Sequence, residues 1–110
     1  MTKSVTVQEE GNNGDHRYVV AEVNITSLDS AGSEPLDPAS QFGLRDVHGA
    51  EVLDQEDYTK IVHFNADASS PKIVVKEVND TGDGSGGVVD TANNTDVGTV
   101  TLKFEGDWSA

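Results

Sequence analysis

The clearest order in the chain is a two-residue alternation of apolar and polar positions. Val100, Leu102 and Phe104 alternate with Thr101, Lys103 and Glu105, while Val19, Ala21, Val23 and Ile25 are opposed by Glu22, Asn24 and Thr26. Successive side chains of a strand point to opposite faces, so each run predicts a strand with one buried and one wetted face. The same reading predicts a first short strand over residues 3–8, with Val5 and Val7 inward, and the longest strand over 16–28. Further strands are expected over 44–53 (interrupted near Gly49), 58–64, 72–78 and 98–105. Asn13-Gly14 marks a hairpin turn, because both residues tolerate positive φ. Asp37 followed by Pro38 predicts one capped helical turn inside the loop 29–41, with no longer helix anywhere. The expectation is an all-β chain, a small single-domain β-sandwich or barrel of about six or more strands with long loops. Residues 79–97 read as a long acidic loop rich in Gly and Asp, and 106–110 as a C-terminal tail carrying the single tryptophan, Trp108.

Composition sharpens this picture. At 110 residues the chain has room for one small domain, and its Leu, Ile, Val and Phe content lies only a little above the ~20% at which charged chains stay unfolded. The 15 valines and 9 threonines are β-branched and suit a pleated surface, so a thin but real core is expected. Asp and Glu number 20 against 7 Lys and Arg, a formal charge of −13. Such a surface excludes non-specific binding to nucleic acid, which needs cations to displace counterions. It also argues against attraction to anionic lipid. The same balance suits a protein of concentrated salt, where the screening length falls to ~3 Å and carboxylates keep the surface hydrated. Cysteine is absent, which removes disulfides, thiolate metal sites and thiol nucleophiles. No apolar run approaches the ~18 residues of a membrane span, and the first twenty residues read as strand rather than as a signal or transit peptide.

Candidate chemistry is sparse. The segment from Asn79 to Gly87 has the look of a calcium loop, but a register starting at Asp80 puts Gly82 at position 3 and Thr91 at position 12, where ligands are required. His16, His48 and His63 have no partner at metal-ligand spacing and read as structural histidines. Gly84-Ser85-Gly86-Gly87 lacks the strand and helix that would make Ser85 a nucleophile elbow. Acidic pairs such as Glu9/Glu10 and Glu56/Asp57 sit in predicted turns and read as solvated surface. No catalytic residue, metal ligand or cofactor site is expected, and the chain does not read as an enzyme.

Three motifs taken together resemble a known family. Gly14-Asp15-His16-Arg17-Tyr18-Val19-Val20, continuing into Val23-Asn24-Ile25-Thr26, is similar to the opening of the small head decoration (cement) proteins of tailed viruses. Their Gly-Glu-Pro-Leu loop resembles Gly32-Ser33-Glu34-Pro35-Leu36, followed by Phe42-Gly43-Leu44. His63-Phe64-Asn65-Ala66 after Tyr58, then Lys72-Ile73-Val74-Val75 and Asp96 to Leu102, resemble the family's later strands. The chain departs from the pattern at Ser33, at Phe64-Asn65 and in running on through Trp108. Joined to the charge, the resemblance implies a capsid decoration protein of a haloarchaeal tailed virus. Its place would be the outer surface of the virion, as a homotrimer on the major capsid protein, without direct contact to nucleic acid or membrane. The expected interface residues are Val5 and Val7 of the first strand, Glu34, Pro35, Leu36 and Phe42 of the loop, and Trp108 of the tail. Another virion β-domain (turret, head fibre or tail tube) and a halophilic extracellular cation- or glycan-binding module are the alternatives.

Overall fold

A computed structural model describes residues 2–14, 16–66, 69–79 and 87–108, with Asn13 and Trp108 described by their backbone only. Its elements are β1 (Lys3–Asn13), β2 (His16–Ile25), β3 (Ser33–Pro35), α1 (Pro38–Phe42), β4 (Leu44–Gln55), β5 (Lys60–Asn65), β6 (Lys72–Asn79), β7 (Gly87–Asp90) and β8 (Gly98–Trp108). The fold is all-β, as the alternation requires. Four long strands form an antiparallel sheet in the order β1-β2-β8-β4. A second antiparallel sheet runs β3-β6-β5, with β7 following β3 along the same edge of β6.

Two strands are additional to those the pattern predicts. β3 has only three residues and ends in a proline, and β7 is exposed along its whole length, so neither carries an alternating signal. β7 lies inside the stretch read as the long loop 79–97, and β8 runs through Gly106 into the segment read as a tail. The predicted strand 16–28 stops at Ile25, and the strand 3–8 extends to Asn13. In the hairpin Asn13 is still paired with His16, so the turn begins one residue later than Asn13-Gly14 suggested, at Gly14 with φ 68°. The capped turn forms where it was expected: Asp37 accepts a hydrogen bond from Ala39 N at 3.1 Å, and Pro38 opens the helix.

Both sheets turn their apolar faces to one core. The long sheet contributes Val19, Ala21, Val23, Ile25, Val100, Leu102 and Phe104, and the short one Ile73 and Val75. Phe104 joins three elements. Its ring stands 5.0 Å from Phe64 of β5, edge to face, and 5.2 Å from Phe42 of α1. The long sheet projects beyond this core, which makes the molecule elongated, 53 × 24 × 24 Å. The radius of gyration, 14.8 Å, correspondingly exceeds the ~13 Å of a round domain this size.

Candidate functional site

The structure divides the expected interface residues. Leu36, Phe42 and Glu34 are buried inside the domain itself, which corrects their assignment to an outward-facing loop. Leu36 and Phe42 close the core beneath α1, where their apolar surface is already covered. Glu34 is fully buried, and its carboxylate accepts from Thr2 Oγ1 at 2.6 Å, Lys3 Nζ at 3.1 Å and Asp29 N at 3.0 Å. It fastens the beginning of β1 to β3. Pro35 is exposed. Val5 packs against the core and Val7, on the same face, is 45% exposed. The Trp108 side chain lies outside the described residues, while its backbone is paired with Leu44 at the end of β8.

The motifs behind the resemblance serve as internal ties. Arg17 donates to the Phe42 carbonyl at 2.8 Å and to Glu10 at 2.9 Å, which ties the β1–β2 hairpin to the C-terminal end of α1. Gly32, at φ 75°, donates its N–H to Thr91 O and accepts from Val75 N, with the Asp90 carboxyl where a Cβ would stand.

Two of the three histidines, which have no partner at metal-ligand spacing along the chain and read as structural, meet an aspartate on the solvent face of the long sheet. His16 of β2 is directly opposite Asp107 of β8, so their side chains share a face. On the other side of β8 the register slips twice in succession, between Leu44 and Val47 and between Val47 and Gly49. His48 is the extra residue of the second bulge, and a bulge re-aims its residue. The position is held by close backbone contact, since a Cβ on Gly106 would collide with the Asp46 carbonyl oxygen. His48 Nε2 lies 3.0 Å and His16 Nδ1 3.6 Å from Asp107 Oδ1, and the three ligand atoms all lie within 4.8 Å of one another. The two imidazoles meet edge to face at 5.7 Å. Arg45, displaced by the first bulge, approaches the other carboxylate oxygen of Asp107 at 3.6 Å and is shared with Asp46.

The hydrogen bond from His48 holds the Asp107 carboxyl below the usual range; partial desolvation opposes this, and the charges of His48, Arg45 and His16 reinforce it. Both histidines are exposed and Asp107 is half-buried. Beside them a shallow cleft of about 430 Å³ is lined by His16, Arg17, Tyr18, His48 and Glu105. Tyr18 lies across Gly11, where a Cβ would not fit, and donates to Glu9 at 3.0 Å. Local spacing could not reveal this cluster, because its members come from three strands far apart in the chain. His63, on the exposed side of β5 in the other sheet, is not part of it. Most of the segment weighed as a calcium loop, residues 80–86, lies outside the described residues.

No helix among the described residues is long and apolar enough to cross a membrane. No protein-family model, curated protein or solved structure matches the chain.

Proposed function

We propose that this protein is a capsid decoration protein, a homotrimer that binds the major capsid protein on the outside of a tailed-virus head in a salt-rich environment. The observation that carries the reading is the open edge of the long sheet. β1 is eleven residues long, pairs with β2 alone among the described residues and leaves Val7 45% exposed. A long edge strand is a template for pairing with another chain; the bulge between Val7 and Glu9 and the charges of Glu9 and Glu10 guard the far half of this one, which leaves Lys3 to Val7 as the run a partner strand could extend. The elongated shape gives that edge length to lie along a seam between capsomers, and the resemblance of the three motifs points to the same role. An interface of ~800 Å² per partner, repeated at each subunit of a trimer, holds where a lone contact would not.

The test is to add the purified protein to head shells prepared without it and to image them by electron cryo-microscopy. Density on the outer surface at local threefold positions is expected. Val7→Glu should lower shell binding at least tenfold while the melting temperature in high salt stays within a few degrees of the parent. Density confined to the tail tube, to fibres or to turrets would replace decoration with one of those roles. Absence of any binding to shells or particles would remove the virion reading altogether.

A further inference from the structure

We propose that His16, His48 and Asp107 bind a single divalent transition cation of the zinc class. Ligands held ~2.0–2.2 Å from a tetrahedral ion stand roughly 3.3–3.6 Å apart. The separations of His48 and His16 from Asp107 Oδ1, 3.0 and 3.6 Å, bracket that spacing, and the ligand atoms all lie within 4.8 Å of one another, close enough for side-chain rotation to admit an ion. Two imidazole nitrogens and one carboxylate oxygen favour zinc, nickel or copper over calcium or magnesium, which want oxygen ligands alone. Arg45 engages the opposite carboxylate oxygen at 3.6 Å and orients Asp107, the part outer partners take around metal ligands. Its charge is shared with Asp46 at 3.3 Å, and the whole chain, at −13, draws cations toward its surface. The sheet places all three: His16 and Asp107 are a register pair where β2 begins and β8 ends, and His48 is the extra residue of the bulge over Gly106. Both imidazoles are exposed, which leaves the remaining coordination position open to water or to a side chain of an adjoining molecule.

The chain has 3 histidines, which makes the test specific. Zinc is titrated into the 110-residue chain in ~1 M potassium nitrate, so that charge repulsion is screened, and imidazole resonances are followed by NMR alongside calorimetry. The His16 and His48 rings should shift together and saturate at one equivalent of zinc, with His63 unmoved. His16→Ala, His48→Gln and Asp107→Asn should each weaken zinc at least tenfold and keep the parental β-type circular dichroism, since both histidines are exposed; His63→Ala should bind as the parent does. Equal shifts of all three rings, affinity unchanged in the His16 and His48 variants, or no saturation by millimolar zinc would each overturn the proposal. It stands independently of the decoration role, whose test reads β1.

Discussion

A carboxylate taken out of water must replace its hydration with donors, and Glu34 finds three: a hydroxyl, an ammonium and a backbone N–H. Removing it leaves the Asp29 N–H and the half-buried Lys3 without their acceptor in a site only partly open to solvent. Glu34→Ala is therefore expected to lower stability by about 2–4 kcal/mol, read by chemical denaturation, with Glu34→Gln between it and the parent. A second carboxylate acts through pH. Asp57 accepts from the Thr59 hydroxyl at 2.5 Å and the Thr59 N–H at 2.9 Å, and these bonds hold its carboxyl below the ordinary ~3.9. A group depressed on folding contributes stability that is complete above its unfolded pKa and is lost as pH falls through the folded one. Thr59→Val removes the stronger of the two influences. The Asp57 carboxyl should then titrate closer to its unfolded value by NMR, and the fall in stability below about pH 4 should become shallower.

Among the elements, the paired bulges of β4 are the least ordinary feature. They exist because Gly106 presents no Cβ to the backbone crossing it, so the Asp46 carbonyl comes down onto β8. A methyl group there forces the strands apart. Gly106→Ala should cost roughly 1–3 kcal/mol or more, as overpacking of a tight contact does. It should also withdraw His48 from Asp107, visible as a change in the His48 ring resonances; Gly49→Ala, where a Cβ meets open space, should do neither. The other informative element is the short loop strand. β3 was invisible to periodicity because three residues cannot establish a period, yet its middle residue is Glu34 and its pairing to β6 closes the second sheet. The residues there look like a docking loop in sequence and act as a fastening in space.

For the whole molecule the governing quantity is charge. Lys3, Arg17, Arg45, Lys60, Lys76 and Lys103 all sit against carboxylates, and the acidic excess is left to repel itself over a narrow, elongated surface. Exposed ion pairs are individually worth little and are weakened by salt, whereas screening relieves the excess repulsion everywhere at once. The melting temperature should rise steeply from low-millimolar to molar potassium chloride. A flat response would show that the −13 charge does not oppose folding and would remove the halophile reading.

Alternation sets the identity of the long strands and of most of the core: Val19, Ala21, Val23, Ile25, Val100, Leu102 and Phe104 are buried where the two-residue period places them. The capped turn at Asp37-Pro38 was equally readable, because a cap is a contact between neighbours. These features are local, fixed by the backbone geometry of a few successive residues. Which strand lies beside which is not local, since it depends on how all apolar faces are covered together. The order β1-β2-β8-β4 put His16 and His48 on either side of Asp107, and the same packing drew Leu36, Phe42 and Glu34 inward from a loop that has no period to betray their direction. A side chain in a periodic strand declares its face through its neighbours; one in an irregular loop acquires a face only when the rest of the chain has closed around it.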